Sequence, residues 1–138
     1  LGIIDYQDAV WGPISYDLVS LLRDCYYCFD STEITYWLDY YFQQAVKLQL
    51  LGPGDRNALN LWFDNMGIQR HLKVLGIFSR LAIRDNKPQF LADIPRVYTY
   101  IMHNIRPYKE LQNLYNILKV RIPTISTTSH KPSLQDSQ

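Results

Sequence analysis

The sequence contains no apolar run approaching the roughly 20 residues that a membrane-spanning helix requires. No signal-peptide pattern opens it, so we expect a cytoplasmic protein with no membrane partner. Charge of one sign is not in excess, because 14 basic and 13 acidic residues leave a formal net charge of +1. That balance provides no long-range field to attract nucleic acid, and nucleic-acid binding is therefore not expected.

Cysteine is scarce, and its two copies, Cys25 and Cys28, form a single C-x-x-C pair. A zinc site built from such pairs needs a second pair, which the sequence lacks. A redox pair belongs at a helix N-terminus, whereas these residues are predicted late in a helix, so we interpret them as buried packing residues. His71, His103 and His130 have no metal-ligand neighbour at useful spacing and are interpreted as structural or surface residues.

Hydrophobic residues, in contrast, make up 47% of the 138 residues, which is enough for one domain with a core. Their helical period predicts a mainly α fold over residues 1–122. Leu1–Ile4 instead indicates a buried strand whose sheet neighbours must come from elsewhere, and we favour the interpretation that the chain is a fragment. Residues 123–138, dominated by Ser, Thr and Pro, are predicted to form a polar tail. The 11 Tyr, 5 Phe and 3 Trp indicate a bulky core and are also compatible with a carbohydrate ligand.

Five helical segments are predicted, with proline or glycine near most of their ends. The third is predicted to break near 65–67 and then to be apolar nearly all round, as a central helix would be. Leu21 and Cys25 fall on the apolar face of the first segment, and Trp37 and Leu48 on that of the second. The segments run from Pro13 to about Phe29, from a capping box at Asp30–Glu33 to Gly52, from about Asn57 to Ile83, from Pro95 to Arg106, and from Tyr108 to about Val120.

An acidic motif follows the predicted strand, where Ile4 leads directly into Asp5, with Asp8 three residues further on. A carboxylate at a strand end is a common position for a magnesium ligand, since Mg²⁺ takes oxygen donors and is shared with substrate phosphates. The alternative is that Asp5 and Asp8 only shape a turn.

A basic stripe lies on the third predicted segment, formed by Arg70, Lys73, Arg80 and Arg84, which share one side of the helix. It could face an anionic ligand, with Arg70 as the strongest candidate for substrate binding. The alternative is a solvated face whose later cations favour the helix C-terminus.

Two stretches carry a family resemblance. The run IIDYQDAVWGPISYDLVSLLRDCY resembles the aminoglycoside-phosphotransferase and choline-kinase superfamily, in which a strand ending I-D-[FWY]-x-x-A precedes G-x-x-x-x-D-L. The run MGIQRHLKVLGIFSRLAIRDNKPQFLADIPRVYTYI is similar to the bacterial anomeric kinases that phosphorylate N-acetylmuramate and N-acetylglucosamine during cell-wall recycling. The resemblance extends to about Ile122 and implies the helical C-terminal lobe of a protein-kinase-like fold.

The resemblance also implies roles for individual residues. Asp5 corresponds to the family's magnesium-binding aspartate, which implies Mg²⁺ with ATP as co-substrate and a sugar as acceptor. Asp17 matches the helix aspartate that braces the catalytic loop by accepting hydrogen bonds from its backbone. Gln7 and Asp8 lie beside the metal position and are expected to shape the substrate cleft. The anionic ligand of the basic stripe that includes Arg70, which is inferred from spacing and not from the family motif, could be the lactyl carboxylate of N-acetylmuramate or a transferred phosphate.

The family's H-x-D catalytic loop, which carries the general base, occurs nowhere in this chain. Because phosphoryl transfer depends on positioning and charge stabilisation, we expect these 138 residues to be inactive alone and to self-associate through apolar surface. Two alternatives remain open. The acceptor could be an aminoglycoside, choline or another small alcohol, or the chain could be a non-catalytic helical interaction module.

Overall fold

The computed structural model describes residues 11–121, and it places the backbone but not the side chain of Arg121. The predicted strand at Leu1–Ile4 and the predicted tail at 123–138 lie outside this range. Within it, the regular elements are all helical, which confirms the mainly α prediction. The helices are α1 (Tyr16–Leu22), α2 (Ser31–Lys47), α3 (Arg56–Ile83), α4 (Ile94–Ile105) and α5 (Gln112–Arg121), with 3₁₀ turns at Pro88–Asp93 and Lys109–Leu111.

Helix α1 ends at Leu22, and the prediction that it continues to Phe29 is wrong. The carboxylate of Asp24 accepts a hydrogen bond from the backbone N–H of Tyr26 at 2.5 Å. A short polar side chain that binds nearby backbone in this way competes with the helical ladder and ends it. The predicted apolar face is shortened as a result, and Leu21 is 66% exposed.

Helix α2 begins at the predicted capping box, which is confirmed. Asp30 accepts from the backbone N–H of Glu33 at 2.8 Å, and Glu33 accepts from that of Asp30 at 2.9 Å. The helix ends before Gly52, because Gln49 takes a left-handed conformation with φ of 58°. Two residues of the predicted buried stripe are instead exposed, Trp37 at 43% and Leu48 at 69%.

Helix α3 is continuous over 28 residues, so the predicted break near 65–67 is wrong. Gly67 is buried inside it, where the side chain of Arg23 crosses the helix. An ideal Cβ at Gly67 would lie 2.5 Å from Nη1 and 2.7 Å from Cδ of Arg23. The glycine therefore permits a close approach between two elements and does not interrupt the helix.

Two hydrophobic clusters form along α3. Leu59 and Phe63 of α3 belong to the first cluster, with α1 and α2, and Ile68 and Phe78 belong to the second, with α4. The long helix is therefore central, as predicted from its apolar circumference. The buried members are Val19, Leu22, Leu38, Leu59 and Phe63 in the first cluster, and Ile68, Phe78, Val97, Ile101 and Ile105 in the second.

The later boundaries agree with the sequence. Pro95 lies in the first turn of α4, where its missing N–H costs no helical hydrogen bond, and α4 ends at Ile105 before Arg106 and Pro107. Among residues 11–121, no helix is both long enough and apolar enough to cross a membrane.

Candidate functional site

Two of the predicted site residues lie at the N-terminal end of α1. Asp17 is exposed in the first turn of this helix. The guanidinium of Arg70 lies 4.8 Å from the ring centroid of Tyr16, which begins the same helix. Asp5, Gln7 and Asp8 lie outside the described residues, so their proximity to this end stays a prediction.

The rest of the predicted basic stripe is exposed, and its three members are Lys73, Arg80 and Arg84. Arg84 pairs with the neighbouring Asp85 at 2.6 Å. This arrangement favours a solvated face for the later cations, whereas the Arg70 side chain is half-buried against Tyr16.

The predicted magnesium ligand, Asp5, lies outside the described residues. Among residues 11–121, no group of three His, Cys, Asp or Glu side chains could hold a metal ion. Mg²⁺ usually keeps several waters and takes one or two carboxylates together with substrate phosphates, so such a trio is not required. The magnesium prediction therefore rests on Asp5 and on the resemblance.

A cavity of about 520 Å³ begins where α1 ends. It lies between the loop after α1, the first half of α2, the middle of α3 and the second half of α4. Asp17 and Arg70 do not line it, and a seven-residue helix separates the two ends of α1 by about 10 Å. Its polar or aromatic lining residues are Arg23, Asp24, Tyr27, Phe29, Ser31, Thr35, Asn60, Phe63, Asp64, His71, Tyr100, His103, Asn104 and Tyr108.

Arg23 anchors the floor of this cavity. Its guanidinium pairs with Asp64 and lies 4.4 Å from the centroid of the Phe63 ring. Burial lowers the pKa of Arg23, although the Asp64 carboxylate acts to raise it. Removing Asp64 would leave the buried Arg23 charge without its counterion, which is strongly destabilising for a buried pair.

Tyr108 joins this pair from the segment between α4 and α5. Its hydroxyl donates to the second carboxylate oxygen of Asp64. Burial, followed by the hydrogen bond to Asp64, raises the pKa of Tyr108, so the hydroxyl stays protonated and remains a donor. Three segments that are distant in the sequence are thus connected through one carboxylate.

His71 completes the floor and is buried rather than surface-exposed. Its Nε2 lies 3.1 Å from the carbonyl oxygen of Arg23, which can only accept, so we place the imidazole proton on Nε2. Burial lowers the pKa of His71, which keeps the ring neutral near pH 7. The ring stacks on Tyr100 with centroids 5.4 Å apart.

The two cysteines lie in the loop after α1, and the prediction that they are buried late in a helix is wrong. Cys28 is exposed and lines the cavity, whereas Cys25 is half-buried. Burial, assisted by the charge of Asp24, raises the pKa of the Cys25 thiol. Because the thiolate is the nucleophile, Cys25 lacks the depressed pKa that a redox-active pair requires.

We therefore expect iodoacetamide to alkylate Cys28 faster than Cys25 at pH 8. The rate at Cys25 should rise with pH through a midpoint above the ordinary thiol value near 8.5, because burial disfavours its thiolate. Peptide-resolved mass spectrometry across pH 7–10 measures both rates. A midpoint for Cys25 below the ordinary thiol value would contradict the arrangement of this loop.

The chain is similar to several known proteins that all carry the same name. The chain is 44% identical over 117 residues to an N-acetylmuramate/N-acetylglucosamine kinase of Neisseria meningitidis, covering 85% of this chain and 35% of that protein. It is 39% identical over 117 residues to the protein of the same name from Pseudomonas putida, covering 85% of this chain and 34% of that protein. The Pseudomonas aeruginosa protein of that name is 35% identical over the same share of the chain.

No family model and no solved structure matches the chain. The chain spans about a third of the length of the curated relatives it matches. Over most of its own length, then, this chain is similar to proteins named N-acetylmuramate/N-acetylglucosamine kinase, and the match covers about a third of the length of each of them.

Proposed function

We propose that the chain is part of an ATP-dependent kinase that phosphorylates the anomeric hydroxyl of N-acetylmuramate and N-acetylglucosamine. The observation that carries this proposal is the identity of 35–44% over 117 residues to proteins with that activity in their names. The helical character of residues 11–121 is compatible with the C-terminal lobe of such an enzyme.

In this proposal Asp5 holds Mg²⁺, which would neutralise charge on the phosphates of ATP during transfer. Gln7 and Asp8 line the cleft beside Asp5. Asp17 braces the catalytic loop, and its environment supports that role. Its carboxylate is exposed at the N-terminal end of α1 and accepts no hydrogen bond from the described residues, so it is free to accept from another segment.

Arg70 is proposed to bind the lactyl carboxylate of N-acetylmuramate. Its guanidinium carbon lies over the Tyr16 ring, a cation–π contact that restrains the group. A guanidinium carries five N–H donors in a planar fork that suits a carboxylate, and a contact with an aromatic ring does not consume them as hydrogen bonds.

The test is ADP release by the complete protein, meaning the product of the full open reading frame that includes residues 1–138, with Mg-ATP and a panel of sugars. We expect turnover of both N-acetylated sugars, and a fall of at least about 100-fold in the Asp5→Asn variant because a metal ligand is lost. Asp39→Asn, at an exposed position on α2, is the matched control and should retain activity.

Three results would contradict this proposal. Turnover of an aminoglycoside but not of either N-acetylated sugar would establish a different acceptor. Turnover of no acceptor would favour a non-catalytic helical module. Turnover that is unchanged in Asp5→Asn would remove Asp5 from the metal site.

A further inference from the structure

We propose that the cavity at the C-terminal end of α1 binds an uncharged N-acetylated sugar ring, with Asn104 and Tyr100 as principal contacts. This inference rests on the proposed function and deepens it. The two sugars share the N-acetylated ring, which we place in the cavity. They differ in the lactyl carboxylate of N-acetylmuramate, which we place outside the cavity.

The size and shape of the cavity fit a small ligand. Its volume of about 520 Å³ lies within the range of roughly 300–1,000 Å³ that is usual for small-molecule sites. Its lining includes the buried residues Leu22, Leu38, Phe63 and His71, and its rim is exposed at Tyr27. A ring-shaped ligand could thus enter from solvent and reach a buried floor.

Carboxylates outnumber arginines in the lining of the cavity, where Asp24 and Asp64 accompany the single Arg23. Nη2 of Arg23 pairs with Asp64, whereas Nη1 is buried beside Gly67 and has no hydrogen-bond partner among residues 11–121. No lysine lines the cavity, and His103 lies exposed at its rim. A carboxylate or phosphate on the floor would therefore meet two carboxylates and a single guanidinium that is already paired with Asp64, so the cavity disfavours anionic groups.

Uncharged hydrogen-bonding groups, in contrast, remain available. Among residues 11–121, the Asn104 side chain forms no hydrogen bond, so its carbonyl oxygen and its N–H₂ group are both unpaired. Asn60 accepts from Arg56 at its carbonyl oxygen and retains its own amide donors. An N-acetyl group offers one acceptor and one donor on opposite sides of its trans amide, so it needs two polar partners, and Asn104 and Asn60 supply two side-chain amides in the lining.

Aromatic side chains supply the remaining contact surface. Tyr100 is fixed by stacking on the buried ring of His71, and Phe63 is covered by the Arg23 guanidinium. Burial raises the pKa of Tyr100, so its hydroxyl is a donor at neutral pH. Amphipathic rings with a polar end suit a sugar, whose C–H face is apolar and whose edge carries hydroxyls.

The experiment compares the affinities of both sugars for the complete protein without nucleotide, measured by isothermal titration calorimetry. We expect Asn104→Leu, which keeps the side-chain shape but removes the amide, to weaken N-acetylglucosamine and N-acetylmuramate by the same factor of about 5–10. Tyr100→Phe, which removes one hydroxyl, should weaken both by about 3–5-fold. Asn116→Leu, at an exposed helical position outside the cavity, is the matched control and should bind like the unsubstituted protein.

Two results would overturn the inference. Unchanged affinity for both sugars in Asn104→Leu and Tyr100→Phe would place the ring elsewhere. A loss confined to N-acetylmuramate would show that the cavity recognises the lactyl carboxylate. If either result were obtained while the unsubstituted protein still phosphorylated the sugars, only the assignment of the cavity would be wrong. If the unsubstituted protein phosphorylated neither sugar, the proposed function itself would be wrong.

Discussion

Gly67→Ala should lower the free energy of unfolding by about 2–3 kcal/mol, although alanine is the better helix former. The new Cβ would lie 2.7 Å from Cδ of Arg23, too close for the side chain to remain. A flexible side chain could normally turn away at little cost. Arg23 is held by Asp64 and packed on Phe63, so turning away breaks a buried ion pair.

Gly76→Ala is the matched control, because it makes the same substitution in the same helix. A Cβ at Gly76 would meet nothing within 4 Å, and the residue is exposed. This variant should therefore gain about 0.5–1 kcal/mol from helix propensity. Urea unfolding of the purified protein measures both, and a gain in both variants would contradict the crossing of Arg23 over α3.

Asp64→Asn should lower the free energy of unfolding by about 3–5 kcal/mol. The Arg23 side chain is only 11% exposed, and the substitution leaves its charge without a counterion. Tyr108 loses a charged acceptor at the same time, because it donates to the same carboxylate. Burial already disfavours the Arg23 cation in the presence of Asp64, so little compensation remains when Asp64 is neutralised.

Two comparisons isolate the origin of this cost. Asp39→Asn removes the partner of Arg56 in a pair whose aspartate is 52% exposed, and should cost at most about 1 kcal/mol. The double change Arg23→Met with Asp64→Leu replaces the buried pair by apolar groups and should be less destabilising than Asp64→Asn alone. Equal midpoints in urea for Asp64→Asn and Asp39→Asn would show that burial does not strengthen the Arg23 pair.

Local signals in the sequence were sufficient for much of the fold. The capping box at Asp30 and Glu33 lies within four residues, and proline marks the start of α4 and the end of its last turn. Predictions failed where a local pattern competed with a side-chain contact. The apolar period continues to Cys25, but α1 ends earlier, because the Asp24 carboxylate accepts a hydrogen bond from the backbone N–H of Tyr26.

The predicted helix break failed for a related reason. Glycine weakens an isolated helix, and the sequence alone gives no indication that Arg23 requires the space beside Gly67. Tertiary packing supplied that reason, since Arg23 and Gly67 are 44 positions apart in the chain.

The site roles of Asp17 and Arg70 stay predictions. Motif and helical spacing selected these residues, and the structure places Asp17 in the first turn of α1 and the Arg70 guanidinium beside Tyr16 of the same helix. The cavity was missed, because it depends on contacts such as Arg23 with Asp64 across 41 positions and Tyr108 with Asp64 across 44. No periodicity or short motif reports a pairing at that distance, and an arginine after two leucines gives no sign that it is buried.

The continuity of α3 has a consequence for how the molecule loses its structure. Both hydrophobic clusters include buried residues of this one helix. Leu59 and Phe63, nearer its N-terminus, belong to the first cluster, and Ile68 and Phe78, further along, belong to the second. Unwinding of α3 between Phe63 and Ile68 would disturb both clusters, because each cluster has a buried residue at one edge of that short stretch. We therefore expect the helix to couple the unfolding of one cluster to that of the other, since no loop separates them along α3.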